Sequence, residues 1–296
     1  MSSSSEKIVQ PGPFVRWAGG KSKLAELIVS TFIDDFNADK NKFYEPFVGS
    51  GAVSFYMSKY IIGKNLVIND VNPDLITTYK VIQSQLPLLI KELKKLTKKV
   101  SEEDYYKIRN LKTTDEVKIA ARFIYLNKTS FNGLWRVNSM GEYNVPFGKI
   151  KNPTILNKEL LEANSDFLKE AKIRKGSYTS AVNDAKAGDV VYLDPPYIPL
   201  NTTASFSKYA QDDFLEIDQW ALAGAIKGLT SKGVKVILSN SDTLLTNKIF
   251  GDSLELRKLD VRRSIGASAD TRVLAKEILG FNYKPAGKLI SNLKKK

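Results

Sequence analysis

The chain has 296 residues, 43% of them hydrophobic, which suits one large domain with a substantial insertion and is too apolar for bulk disorder. It has no cysteine and no histidine, which excludes disulfides, thiolate nucleophiles, Cys/His zinc sites and histidine acid–base catalysis. Against 32 Asp+Glu stand 45 Lys+Arg, a net charge of +13, a common footprint of nucleic-acid binding that other lysine-rich proteins share.

The N-terminal MSSSSEK reads as a loose tail without a signal-peptide core, and no apolar run could span a bilayer, so no membrane association and a cytoplasmic location are expected. In PGPFVRWAGGKSKL, Gly19-Gly20 predicts a flexible turn and a helix from about Ser22, with Leu24, Leu27 and Ile28 on one face. Gly20-Lys21-Ser22 matches the end of a phosphate-binding loop. That motif needs a glycine where Val15 stands, and no strand precedes it, so a P-loop is rejected.

In KFYEPFVGSGAVSFYM, Phe43–Glu45 reads as a strand, Gly49-Ser50-Gly51 as a tight turn, and a helix follows from about Ala52. A second strand, NLVIN, ends at Asp70, about twenty residues after the glycine turn, the spacing at which an acid reaches ribose hydroxyls in nucleotide-binding α/β folds. Asp70 alone could equally cap a helix. With Gly49 and Gly51 it favours a nucleoside-containing cofactor.

From about Asn72 to Asn157 the strand–helix alternation lapses. Helices are predicted near Asp74–Thr97, Glu103–Leu111 and Asp115–Leu126, the first two rich in lysine. Leu134–Asn138 and Tyr143–Val145 flank Gly141 and predict a hairpin bearing Trp135, Arg136, Tyr143 and Phe147. Interleaved bases and aromatics suit nucleic-acid recognition, and a hairpin capping the core explains them as well. Regular α/β organisation resumes near Asn164. The apolar run Val190–Leu193 predicts a buried parallel strand that ends abruptly in Asp194-Pro195-Pro196-Tyr197. The prolines stiffen that exit, so a carboxylate, unpaired carbonyls and an aromatic ring are presented at the strand end where open α/β sheets bind ligands. Residues 198–213 read as a mobile flap, about Phe214–Leu229 as a helix, and Val234–Leu238 as a strand ending in Ser239 and Asn240. Val273–Tyr283 is a final apolar segment, and 291–296 a basic tail.

PFVRWAGGKSKL, YEPFVGSGAVSF and DPPY, in that order, resemble the Dam family of S-adenosylmethionine-dependent DNA adenine-N6 methyltransferases. The match extends to FNGLWRVN and GEYNVPFG in the insertion, SNSDT after the later strand and VRRSI near the end, and so spans nearly the whole chain. The resemblance implies a Rossmann-like methyltransferase sheet over 1–71 and 158–290, with a mainly helical target-recognition insertion carrying the hairpin over 72–157. It implies S-adenosylmethionine as cofactor, S-adenosylhomocysteine as product and no metal. Phe14–Lys21, with Trp17 and Lys21, resembles the cofactor cradle, together with Glu45, Phe47, Gly49, Gly51, Asp194 and, on the ribose, Asp70. Asp194 to Tyr197 resembles the pocket of a flipped adenine. Arg136 matches the residue that reads guanine, Phe131 the duplex wedge and Pro146 a base contact, with Asn132, Leu134 and Lys149 in the same DNA-contacting set. Arg16 stands where close relatives carry lysine, which keeps a basic group but changes its geometry. The implied partner is double-stranded DNA at GATC in a bacterial or phage-infected cell, with a cognate restriction endonuclease as a further candidate partner.

The chemistry points the same way. Adenine N6 is a poor nucleophile because its lone pair is delocalised into the ring. Asp194 and the Pro195 carbonyl could accept its two protons and pull it toward tetrahedral geometry, while Tyr197 stacks on the base. The lack of cysteine excludes methylation at cytosine C5, which proceeds through a cysteine adduct. The rival readings are transfer to cytosine N4 or RNA, and a silent binding protein that keeps the fold.

Overall fold

The computed structural model describes residues 9–198, 214–262 and 274–286. The predicted flap over 199–213, the VRRSI stretch beyond residue 262 and the basic tail lie outside them. Seven strands form one sheet: β1 (Phe43–Glu45), β2 (Leu66–Asp70), β3 (Lys172–Lys175), β4 (Val190–Leu193), β5 (Lys235–Ser241), β6 (Glu255–Arg262) and β7 (Leu274–Phe281). Their order is β3-β2-β1-β4-β5-β7-β6, the first five parallel and β7 antiparallel to both neighbours. The order reverses between β1 and β4, which makes the carboxyl ends of those strands the natural ligand crevice.

Both faces of the central strands are covered, which is why they read as continuous apolar runs rather than alternating ones. Phe43, Ile68, Val190, Tyr192 and Ile237 join one core, and Tyr44, Val67, Val191, Leu193, Val236 and Leu238 the other. The first core is closed by α1 (Ala25–Ser30), α2 (Ala52–Tyr56), α3 (Pro73–Ser84), α4 (Leu86–Leu96), α5 (Glu102–Arg109), α6 (Glu116–Thr129) and α7 (Lys158–Leu168). The second is closed by α8 (Tyr178–Ala181), α9 (Glu216–Ser231) and α10 (Leu244–Phe250). Among the described residues no helix is long and apolar enough to cross a membrane.

Several elements differ from expectation for identifiable reasons. The predicted 74–97 helix breaks at Gln85, because Pro87 lacks the N–H a continuous helix needs and fits only a helix start. The helix expected from Ser22 starts at Ala25, after a tight turn in which the Lys21 carbonyl accepts from the Leu24 and Ala25 amides. Ser239 and Asn240 lie inside β5 rather than beyond it, and β6 forms where no strand was expected. The hairpin is a brief pairing. Val137 bridges Tyr143, and the Asn144 amide donates to the Arg136 carbonyl at 3.1 Å around Gly141. Its aromatics do not all project outward. Trp135 packs on Phe123 of α6 at 4.1 Å between centroids and on Tyr143 at 4.7 Å, and Tyr143 is buried.

The segment before α1 has no strand partner, and two fully buried asparagines serve it instead. Asn164 of α7 accepts from the Gly12 amide at 2.8 Å and donates to the Gly12 carbonyl at 2.9 Å. Asn127 of α6 does the same for Arg16, both at 2.7 Å. Each side-chain amide satisfies the backbone donor and acceptor that a neighbouring strand would have satisfied.

Candidate active site

Glu45, Asp70 and Asp194 leave the ends of β1, β2 and β4 on one edge of the sheet, and the Gly49–Gly51 turn lies between the first two. Gly49 and Gly51 have φ of +47° and +70°, in the left-handed region that glycine tolerates. A Cβ on Gly49 would lie 2.6 Å from the Trp17 ring, and one on Gly51 would lie 2.6 Å from the Tyr79 hydroxyl. The turn is thus a bare backbone surface with an aromatic wall. Asp70 braces it, accepting from the Gly49 amide at 3.1 Å and the Asn72 amide at 3.0 Å. The cap of α3 is Asn72, not Asp70. Burial raises the Asp70 carboxyl above its ordinary range, offset by these amides.

Glu45 is buried, and its carboxylate accepts from both the amide (2.9 Å) and the hydroxyl of Ser54 on α2. Burial pushes it up from 4.5 to about 8, so it holds its proton at neutral pH. Phe47 stacks on Tyr178 at 5.4 Å and meets Phe214 edge-on at 5.8 Å, an aromatic corner the sequence reading did not single out.

Lys21 is only 5% exposed and stands among these groups. Its ammonium donates to the Gly19 carbonyl at 2.6 Å, lies 3.0 Å from Asp194 Oδ1 and sits 4.8 Å above the Tyr197 ring. Apart from that ion pair, Asp194 Oδ1 is a buried acceptor that receives no well-aligned hydrogen bond. Burial raises the Asp194 carboxyl, and the Lys21 charge pulls it back.

The rest of the Asp194–Tyr197 exit is clamped from β5, α9 and β7. Gln219 donates to the Pro196 carbonyl at 2.8 Å, and Asn240 accepts from the Ile198 amide at 3.2 Å. Ser241 donates to the Ile198 carbonyl, and Asn240 ties to Gln219 at 3.3 Å. The Tyr197 hydroxyl donates to Glu277 at 3.2 Å. Among the described residues no donor reaches the Pro195 carbonyl. Only the polar run at the end of β5 hinted at this clamp in the sequence. Gln219 and Glu277 carried no local signal.

The residues expected to meet DNA form a second group beside this edge. Arg16, Phe131, Asn132, Arg136, Pro146 and Lys149 are exposed, and Leu134 is half-buried. Arg136 Nε donates to Asn144 at 2.7 Å, and its two terminal amino groups have no partner among the described residues. Trp17, next to Arg16, stacks on Phe123 at 6.3 Å, and Trp135, next to Arg136, packs on the same ring.

Comparison with known proteins shows the family of the chain. A family model described as D12 class N6 adenine-specific DNA methyltransferase matches residues 17–265. The chain is 39% identical to the type II methyltransferase M.MjaIII of Methanocaldococcus jannaschii, covering 92% of this chain and 99% of that one. It is 38% identical to the type II methyltransferase M1.LlaDCHI of Lactococcus lactis subsp. cremoris, covering 92% and 95%. It is 34% identical to the DNA adenine methylase of Escherichia coli, again covering 92% and 95%. With a family match over most of its length and relatives above 30% identity along nearly all of theirs, the chain belongs to the D12 class of N6 adenine-specific DNA methyltransferases.

Proposed function

We propose that the protein transfers a methyl group from S-adenosylmethionine to N6 of an adenine turned out of duplex DNA, at a short specific site for which GATC is the first candidate. The observation that carries this reading is the clamped Asp194–Tyr197 exit. Among the described residues Gln219 holds the Pro196 carbonyl, Asn240 and Ser241 hold the Ile198 amide and carbonyl, no donor reaches the Pro195 carbonyl, and Asp194 Oδ1 is ion-paired with Lys21.

The cradle fits the cofactor. Gly49 and Gly51 let the turn close against the Trp17 ring and the Tyr79 hydroxyl, where any Cβ would clash, Asp70 braces that turn from the end of β2 where it would meet ribose hydroxyls, and Trp17, Lys21, Glu45 and Phe47 complete the proposed cradle. S-adenosylmethionine supplies an electrophilic methyl group on a sulfonium. The chain's own part is acceptance and orientation. Asp194 and the Pro195 carbonyl accept the two amine protons, so the N6 lone pair is turned out of conjugation toward the methyl carbon. With S-adenosylmethionine bound, Asp194 would receive the proton that N6 gives up on methyl transfer. Lys21 must give way for the amine to reach Asp194 Oδ1, since its ammonium lies there now. Tyr197, held by Glu277, presents its ring face for the extruded base.

Outside the pocket, residues 72–157 act as the target-recognition part. Phe131, 46% exposed, wedges the duplex, and Arg136 offers its terminal amino groups to a guanine edge. Arg16, Asn132, Leu134, Pro146 and Lys149 complete the contact surface. A restriction endonuclease acting at the same site is a further candidate partner.

The test is transfer of labelled methyl to duplex DNA, read base by base by sequencing. Label on adenine N6 within one short motif is expected. Asp194→Ala should lower the rate by about a hundredfold or more while calorimetric cofactor binding survives. Label on cytosine or RNA alone, or an active Asp194→Ala protein, would refute the reading.

A further inference from the structure

The two asparagines that hold the N-terminal segment make the same pair of bonds but differ in what else they touch. Among the described residues the Asn164 side chain bonds only Gly12. Asn127 donates additionally to the carbonyl of Gly133 at 3.0 Å. Gly133 follows Asn132 in the turn Phe131–Gly133, and both have left-handed backbones, φ +65° and +55°. A Cβ on Gly133 would lie 2.7 Å from Arg16 Cδ, so the arginine stem lies directly on this bare backbone. One buried amide therefore fixes Arg16 from both sides of its peptide unit and ties it to the turn bearing Phe131 and Leu134.

A second set of contacts repeats the link. Phe123, one helical turn before Asn127 on α6, packs against both Trp17 and Trp135. The residue after Arg16 and the residue before Arg136 thus share one ring. Among the described residues the Arg16 guanidinium itself has no partner.

We propose that Asn127 is a positioning residue for sequence discrimination. It sets the register between Arg16 and the Phe131–Arg136 turn, so that two segments far apart in the chain read neighbouring base pairs as one rigid surface. The inference rests on the reading of Arg16 and Arg136 as DNA contacts. Its physical basis is that base-edge hydrogen bonds discriminate only when donor and acceptor meet within a few tenths of an ångström, which two exposed arginines on separate segments cannot secure alone. A side-chain amide shielded from water holds that register without competition from solvent.

The experiment uses the full-length protein. Once the preferred duplex is known from methylation sequencing, kcat/KM is measured on it and on duplexes changed at one base pair. The variants are Asn127→Ser, Asn164→Ser, Gly133→Ala, Arg16→Ala and Arg136→Ala, and each is also characterised by urea unfolding and by cofactor binding. Asn127→Ser should lose discrimination by about tenfold or more with cofactor affinity unchanged. Asn164→Ser, which breaks an equivalent clasp, should lose comparable stability and keep full discrimination. Gly133→Ala, which displaces Arg16 with Asn127 intact, should reproduce the loss and carries the test if Asn127→Ser does not fold. Equal discrimination in the Asn127→Ser and Asn164→Ser proteins, or an unaltered Gly133→Ala protein, overturns the positioning role. Unaltered discrimination in both arginine variants instead overturns the reading of those residues as base contacts, and the proposal with it.

Discussion

Glu45 sits in an environment far from the one its side-chain type would choose. A carboxyl at a strand end, buried and bonded to Ser54, holds its proton until about pH 8 against an ordinary 4.5. Desolvation is the main cause, and the nearby Asp194 charge adds to it while Lys21 opposes it. A folded-state value above the unfolded one means the folded state binds the proton more tightly. This contribution to stability is therefore complete below about pH 4.5 and is lost as pH rises through about 8. Glu45→Gln should remove that dependence. Its urea stability should match the parent near pH 4.5 and exceed it by a few kcal/mol at about pH 9. A parent protein whose stability does not fall over that range, or a glutamine variant that falls equally, would contradict the assignment.

Among elements, the glycine turn and the Asp194–Tyr197 exit were legible in the sequence because local backbone rules decide them. Prolines fix φ, and Gly51 occupies a region other residues avoid. A substitution there should act on the element as a whole. Gly51→Ala combines a left-handed alanine with a clash at the Tyr79 hydroxyl, which donates to the Gly49 carbonyl at 3.0 Å. A loss of roughly 2–4 kcal/mol in unfolding free energy, with cofactor binding abolished, is expected from the strain and the broken buried bond. Normal cofactor affinity in this variant would remove the turn from the cradle. The hairpin was half legible. Alternation located its two arms, but it could not show that Phe123 of α6 covers the face bearing Trp135 and Tyr143, leaving Arg136 exposed. Nothing local marks Gln219 or Glu277 either, because each acts on a segment brought to it only by the sheet order. Asn127 is a polar interruption of an apolar helix, a signal visible in IYLNKT, but its partner Arg16 is 111 residues away.

For the whole molecule, the net charge of +13 predicts a large ionic share in the proposed duplex binding. Affinity should fall steeply with salt, by a slope of about 0.9 per neutralised phosphate on logarithmic axes. Lys149 offers a clean test, because it is exposed and has φ +50°, where a lysine is strained. Lys149→Gly should reduce the salt slope by about 1 while leaving unfolding stability equal or higher. An unchanged slope would place Lys149 off the phosphate track.

The clasps on the N-terminal segment also bear on when the protein becomes active during its own synthesis. Arg16, Trp17 and Lys21 leave the ribosome early, yet Arg16 waits 111 residues for Asn127, and Gly12 waits 152 for Asn164. Lys21 waits for Asp194, and Tyr197 waits a further 80 residues for Glu277. Strand β7 slots between β5 and β6 and delivers that last contact. The residues proposed to read DNA are all present once Lys149 is made, whereas those of the proposed cofactor cradle wait for Asp194 and those of the proposed adenine pocket for Glu277. Transfer should therefore require the chain through β7, and a fragment that stops before Glu277 should lack transfer activity.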